Sequence, residues 1–259
     1  MQVLMSLSSV ERQNQIIQLL SKNQRISVAE ICATFEVSKA TARRDLEALV
    51  SSRKIQRVHG GAITLAYASP EIPVLIRREE QAEMKRRIGQ AASELVNDGD
   101  TIVLGSGSTV LEVAQHLKER RNLTVITNSL PVMDLMVEKS DISLVSIGGM
   151  LLRTELSFIG HIAELAIEEV RADKAILGVR AISMEQGLTS DYLPEAKTDR
   201  AMLRAAQESI IVADHTKFSR VSAALLVPVE NVQTIVTDTE TPKDIISGLV
   251  ERGIRIIVA

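Results

Sequence analysis

Two serine caps constrain this chain more than any other feature. Both fall in the stretch SVAEICATFEVSKATARRDLEALVSSRKIQRVHGGA, which runs from Ser27 to Ala62. Ser27 with Glu30 fits a capping box, in which a hydroxyl and a carboxylate three residues on satisfy the free N–H groups of a helix start. The helix it opens is short, Val28 to Phe35, and ends at Glu36-Val37. Ser38 then caps another helix, in which Ala42, Leu46 and Leu49 recur at helical spacing. Upstream, Ser8 with Glu11 fits a second capping box and opens a helix that turns Ile16, Ile17, Leu19 and Leu20 inward. A basic hairpin ending in His59-Gly60-Gly61 follows the third helix. Residues 1–64 are therefore expected to form a winged helix-turn-helix domain.

From its start at Ser38, the third helix carries Lys39, Thr41, Arg43 and Arg44 mostly off its apolar stripe. A recognition helix uses such N-terminal side chains on base edges and phosphates, with arginine paired to guanine and threonine against a thymine methyl or a phosphate. Lysine and arginine also populate ordinary solvated helix faces. The hairpin behind the helix favours the DNA reading, because Arg53, Lys54, Arg57 and His59 add a second basic element. Charge agrees: residues 1–62 hold nine Lys/Arg and five Asp/Glu (+4), whereas residues 63–259 hold 21 and 28 (−7). A basic head on an acidic body is the electrostatic pattern of a nucleic-acid reader joined to a domain that stays off the DNA.

Only five residues are aromatic and none is tryptophan, which argues against a single-strand binder that stacks bases on rings and calls for an aliphatic core. Cys32 is the sole cysteine, so paired-cysteine metal sites and intrachain disulfides are excluded, and its place beside Ile31 and Phe35 suits a packed thiol. The N-terminus lacks the basic and apolar regions of a signal peptide, and no run approaches the roughly 18 apolar residues of a membrane span. A cytoplasmic protein without a membrane partner is expected.

Residues 65–82 contain Pro70 and Pro73 and a charge cluster without a clean period, and are expected to link two domains. The helix that follows, Met84 to Val96, starts with Lys85, Arg86 and Arg87, which could touch phosphate but are expected to be a solvated helix end. Residues 83–259 alternate β-rich runs (101–105, 123–127, 142–148, 174–179, 209–213, 232–237 and 254–259) with helices at 109–120, 130–138, 161–170, 196–207 and 242–251. That alternation predicts an α/β domain with a mainly parallel sheet, whose ligands bind beyond the C-terminal strand ends.

Polar loops fall at those ends. Gly105-Ser106-Gly107-Ser108-Thr109 leaves the first strand and opens a helix, a place where N–H groups and hydroxyls surround a phosphate. A plain strand-to-helix turn would look similar. Thr127-Asn128-Ser129 after the second strand, Gly148-Gly149 after the third, and Arg153 soon after point together to one anion site.

The string VSKATARRDLEALVSSRKIQRVHGGA resembles the N-terminal signature of the DeoR family of bacterial transcriptional regulators, through Val37, Ser38, Thr41, Arg43-Arg44-Asp45-Leu46, Leu49, Arg57 and His59-Gly60-Gly61-Ala62. The likeness extends over nearly the whole chain. The effector domains of that family are similar to ribose-5-phosphate isomerase, and their motifs match here as Gly107-Ser108-Thr109, Thr127-Asn128-Ser129, Gly148-Gly149 with Arg153, Gly187 with Thr189, and Asp214-His215-Thr216-Lys217-Phe218. The resemblance implies a repressor of sugar or polyol metabolism that binds double-stranded operator DNA as a homo-oligomer, dimer or tetramer. It also implies a phosphorylated sugar as effector, with Lys217 in the site and Glu195 and Lys197 on sugar hydroxyls; Glu195 would serve equally as a helix-start carboxylate. Three positions depart from the family: Arg53 stands at a turn that often has glycine, Gly105 where aspartate is frequent, and Arg180 in a stretch that is often acidic.

Catalysis is the competing class, because a phosphosugar isomerase would use the same loop. Isomerisation needs a base set to move a proton between carbons. The Asp-Gly-Ala-Asp-Glu loop and the lysine-polyglycine segment of ribose-5-phosphate isomerases are both missing; the comparable stretch reads Leu177-Gly178-Val179-Arg180-Ala181-Ile182. Structural pairing accounts for Asp191, Asp214, His215 and Lys217. No enzyme, cofactor or metal is expected. An architectural DNA-binding protein would not need the converging loops.

Overall fold

The computed structural model describes residues 9–23, 25–51, 55–58, 61–64 and 73–259. The chain divides into two compact units, Met1–Glu71 and Ile72–Ala259.

The first unit runs α1 (Ser9–Asn23), β1 (Arg25–Ser27), α2 (Val28–Phe35), α3 (Lys39–Ser51), β2 (Ile55–Val58) and β3 (Gly61–Thr64). The strands pair antiparallel in the order β1-β3-β2, with Val58 opposite Gly61 at the wing and Ile26 opposite Ala62. Three helices with this sheet make the winged helix-turn-helix expected from the caps. The Ser27 box is formed in both directions, Glu30 N–H to Ser27 Oγ at 3.1 Å and Ser27 N–H to a Glu30 carboxylate oxygen at 2.6 Å. Ser38 Oγ accepts from Thr41 N–H at 3.1 Å, as a cap should. Ser8 of the other expected box lies outside the described residues. Ile16, Leu20, Ile31, Leu46 and Leu49 are wholly buried, and Cys32 and Phe35 pack at the edge of this cluster.

The second unit begins with α4 (Val74–Arg77), α5 (Ala82–Ser93), β4 (Thr101–Leu104), α6 (Ser108–His116), β5 (Leu123–Thr127), α7 (Leu130–Met136) and β6 (Ile142–Ser146). A hairpin of β7 (Met150–Leu152) and β8 (Ser157–Ile159) precedes α8 (His161–Glu168), β9 (Ala172–Gly178), β10 (Ala181–Ser183), β11 (Gly187–Ser190) and α9 (Leu193–Arg204). The chain finishes with β12 (Ala206–Val212), β13 (Ala224–Val227), β14 (Thr234–Thr237), α10 (Lys243–Glu251) and β15 (Arg255–Val258).

Seven strands form one parallel sheet in the order β15-β14-β12-β9-β4-β5-β6, and they are the seven β-rich runs of the sequence. The runs of β4, β5 and β14 are nearly unbroken in burial because both faces are covered. Val103, Ala175, Leu177, Ile211 and Ile235 meet α8 and α9 on one side. Ile102, Leu104, Val125, Ile176, Ile210 and Val236 meet α5, α6 and α7 on the other. From β4 the chain winds outward to β6, then returns to place β9 on the other flank of β4. The strand order reverses there, and the crevice at such a switch point is where open α/β sheets take ligands.

Two expectations change here. From Pro73 the stretch read as a linker already packs on the second unit, with Val74 buried and its N–H donating to the Thr154 carbonyl at 2.8 Å. Lys85 is not a solvated helix end: it is 4% exposed, on the buried stripe of α5 with Ile88 and Ala92. The sequence pattern also missed the β7–β8 hairpin and the small antiparallel sheet β10-β11-β13. Among the described residues no helix is long and apolar enough to cross a membrane.

Candidate functional site

The switch point between β4 and β9 opens into a cavity. It is lined by Ser106-Gly107-Ser108-Thr109 after β4 and by Gly178 at the end of β9 with Val179-Arg180 beyond it. Gly107 is the N-cap of α6 with φ of 112°, a conformation open to glycine and strained for other residues, and no side chain caps that helix. The free N–H groups and the positive end of the helix therefore face the cavity as an anion cradle.

Four cations stand around the cradle: Arg77 from α4, Lys85 from α5, Arg180 after β9, and Lys217 from a single 3-10 turn, His215–Lys217. Asp214 caps that turn, accepting from Thr216 N–H at 3.0 Å, and is itself buried. Burial pushes the Lys85 ammonium below its ordinary pKa, opposed by Asp214 and reinforced by Lys217 and Arg77. Lys217 is lowered for the same first reason, again with Asp214 opposing and Arg77 and Arg180 reinforcing. Both shifts mark positive charge concentrated in a poorly solvated place, which an anion would relieve.

Acidic side chains share the lining. Glu155, 2% exposed, takes Arg77 at 2.5 Å and Arg180 as well, so one carboxylate serves two guanidiniums. Glu195 in the first turn of α9 accepts from Ser190 Oγ at 2.9 Å and is buried. One turn later Asp199 also lines the cavity, and its carboxyl is pushed well above the ordinary range by burial, then by Glu195 and Glu155, with Arg180 pulling the other way. A cationic cradle that shares its cavity with carboxylates and a serine hydroxyl can hold an oxyanion and sugar-like hydroxyls.

The structure brings together only some of the residues expected from sequence. Ser106, Gly107, Ser108, Thr109, Glu195 and Lys217 line the cavity, and Gly105, Asn128, Ser129, Gly149, Arg153 and Lys197 do not. Gly105 is a packing glycine, since a Cβ there would strike Leu177 Cδ2. Asn128 braces the hairpin: its carbonyl accepts from Phe158 N–H at 2.8 Å and its Nδ2 donates to the Phe158 carbonyl at 2.9 Å. Ser129 pairs with Ser157 in an isolated bridge. Gly149 has φ of 149°, and a Cβ would sit 2.8 Å from the Ile159 carbonyl. Arg153 is exposed on the hairpin turn, and Lys197 edges a separate depression with His161, Glu164 and Leu193.

Sequence reasoning missed Arg77, Glu155, Ser190 and Asp199, and it ranked Lys85 as a solvated residue ahead of a phosphate contact. Lys85 was findable, because it precedes Ile88 and Ala92 on one helical stripe, where a lysine is out of place unless it has work to do. Asp199 stands four residues after Glu195 and so faces the same way. Arg77 gave no local sign; its partner lies 78 residues away.

In the first unit, α3 turns Ala42, Leu46 and Leu49 inward and leaves Lys39, Arg43 and Arg44 exposed. Thr41 Oγ1 meets Ser38 Oγ at 2.9 Å at the start of the same helix. Asp45 differs from its basic neighbours: it is buried against Arg12 at 2.6 Å and accepts from Gln13 at 3.2 Å. Arg57 stands in β2, while Arg53, Lys54, His59 and Gly60 lie outside the described residues.

Comparison with known proteins agrees with both units. The model of the DeoR C-terminal sensor domain matches residues 80–239, and that of the DeoR-like helix-turn-helix domain matches residues 12–66. This chain belongs to the DeoR family. Similar relatives include the transcriptional repressor AccR of Agrobacterium fabrum, 35% identical over 90% of this chain and 91% of that protein. The glycerol-3-phosphate regulon repressor of Escherichia coli is 30% identical over 96% of this chain and 99% of the relative. Among solved structures, a ribose 5-phosphate isomerase A from Methanocaldococcus jannaschii matches with a TM-score of 0.41 and 20% identity, over 54% of this chain and 55% of that one. The DeoR-type motifs thus sit on two different kinds of position: Gly107-Ser108-Thr109 and Lys217 at the cavity, Asn128-Ser129 and Gly149 in the scaffold behind it.

Proposed function

We infer that this DeoR-family chain represses a sugar or polyol operon in the cytoplasm, binding double-stranded operator DNA through its first unit and a phosphorylated sugar in its second. The observation that carries the reading is the uncapped start of α6, Gly107 to Thr109, set in one cavity with Lys85 and Lys217. Such an arrangement is suited to a phosphate monoester. Glu195, Ser190 and Asp199, whose carboxyl is pushed by burial toward the protonated form, offer hydrogen-bonding groups to sugar hydroxyls. A relative named for the glycerol-3-phosphate regulon supports a phosphate ester as the effector class. On the DNA side, Ser38, Lys39, Thr41, Arg43 and Arg44 at the start of α3 read the operator, with Arg57 and His59 of the wing on the backbone. Operators for such heads pair half-sites, so the working form is a homo-oligomer. The pocket serves recognition and not turnover, in keeping with relatives named as repressors.

The test is binding of the full chain to the DNA upstream of its own gene, with and without a panel of phosphorylated sugars. An affinity shift with one compound supports the reading and names the effector. DNA binding indifferent to every phosphate ester, together with no thermal shift by any of them, rejects the phosphosugar assignment.

A further inference from the structure

The four-residue helix α4 is too short to hold itself by its own hydrogen bonds. Its packing is thin: Val74 is buried, but Leu75 and Ile76 are exposed at 58% and 59%. The contacts that fasten it include Val74 N–H to the Thr154 carbonyl at 2.8 Å, the Arg77 guanidinium on Glu155 at 2.5 Å, and the Lys85 ammonium on the Arg77 carbonyl. Arg78 reaches Glu112 at 3.6 Å on the outside. Two of these fasteners, Arg77 and Lys85, also line the cavity beside the α6 cradle. And α4 is the first element of the second unit, which begins at Ile72 directly after the first ends at Glu71.

We propose that Arg77 and Lys85 are ligand contacts and, at the same time, the latch of α4, so that an oxyanion on the α6 cradle changes how the sensor unit holds the chain leading to the DNA-binding unit. The inference rests on the phosphate reading of the pocket. Its chemistry is a competition between acceptors. Glu155 faces both Arg77 and Arg180, so it stays paired when one guanidinium turns away. A phosphate beside Lys85, Lys217 and Arg77 offers a doubly charged acceptor in place of a shared carboxylate and a neutral carbonyl. Drawing Lys85 and Arg77 toward it slackens two of the fasteners of α4. The effector then acts through a difference between two states of one short segment, which is what linkage requires.

Hydrogen exchange on the full-length protein, with and without millimolar inorganic phosphate, tests this directly. Phosphate is expected to protect the amides from Ser106 to Val110 and to change exchange in α4 by about fivefold or more, the low end of ordinary coupling. Arg77→Met, which leaves Glu155 paired with Arg180, should lose the α4 response when compared at phosphate levels giving equal loop protection. Loop protection with an unchanged α4, or an α4 response that survives in Arg77→Met, overturns the latch and leaves the phosphate site standing. No protection of the loop at any phosphate concentration overturns the site and the latch together.

Discussion

Arg43, Arg44 and Asp45 are adjacent in sequence and have opposite fates: the two arginines face solvent, while the aspartate is buried on Arg12. Removing one partner of a buried ion pair strands the other, at a cost of about 3–5 kcal/mol. Asp45→Ala should therefore sharply reduce hydrogen-exchange protection in α1 and α3, and unchanged protection there would reject the pair as a structural tie. Asp199 makes a prediction of the opposite kind, because its folded carboxyl keeps its proton above the unfolded value of about 3.9. Below that value both states are protonated. As pH rises through it the unfolded chain releases a proton that the folded one retains, so stability falls until the folded pKa is passed. Asp199→Asn should flatten the fall in melting temperature that sets in as pH rises above about 4 in the wild type; parallel curves would remove Asp199 from the account. Residues of this sort mark the limit of sequence reading. Lys85 was visible as a charge on an apolar stripe, whereas Arg77 and Glu155 take their meaning from a contact across 78 positions.

Helix starts carry most of the chemistry at the scale of elements. The turn between α2 and α3 passes through Glu36 with φ of 52°, a left-handed conformation that costs a side-chain-bearing residue about 1–2 kcal/mol. Glu36→Gly removes that strain while adding unfolded-state freedom, and should raise the stability of the first unit by up to about 1 kcal/mol. Exchange rates of α2 and α3 amides report it, and a loss of protection would mean that the Glu36 side chain holds something. At the start of α6, Ser108→Glu places a carboxylate in the anion cradle. Thermal stabilisation by phosphorylated sugars should then vanish while the fold persists; a retained shift would move the site elsewhere. The elements themselves were largely legible. All seven strands of the parallel sheet stood out as short β-rich runs; β4, β5 and β14 are buried on both faces, whereas the edge strands β6 and β15 are largely exposed. The three-residue strands β7, β8 and β10 are too short to show a period, and β13 alternates buried and exposed residues over only four positions. The hairpin they hid holds Glu155 between its strands, so the loss carried over to the site.

For the molecule as a whole, a basic head and an acidic body with a cationic pocket divide the work by charge. The head meets a polyanion and releases its counterions, so its affinity must fall with salt, by about 0.9 in log–log slope for each phosphate contact. Arg43→Ala and Arg44→Ala separate two roles for these exposed side chains. A phosphate contact, once lost, lowers the slope by about one and weakens all sequences alike, whereas a base contact leaves most of the slope and costs about 1–3 kcal/mol of discrimination between operator and random DNA. In either case phosphate protection of the α6 loop should be unchanged, since the variants alter the head alone. If neither arginine changes affinity, slope or discrimination, α3 is not the reading helix. Linkage adds a condition that no single-site explanation can meet. Whatever factor the effector applies to operator affinity, operator must apply to effector affinity. Measuring effector binding to the free protein and to the protein saturated with operator gives that factor independently; a factor of one would mean that the pocket does not control the head.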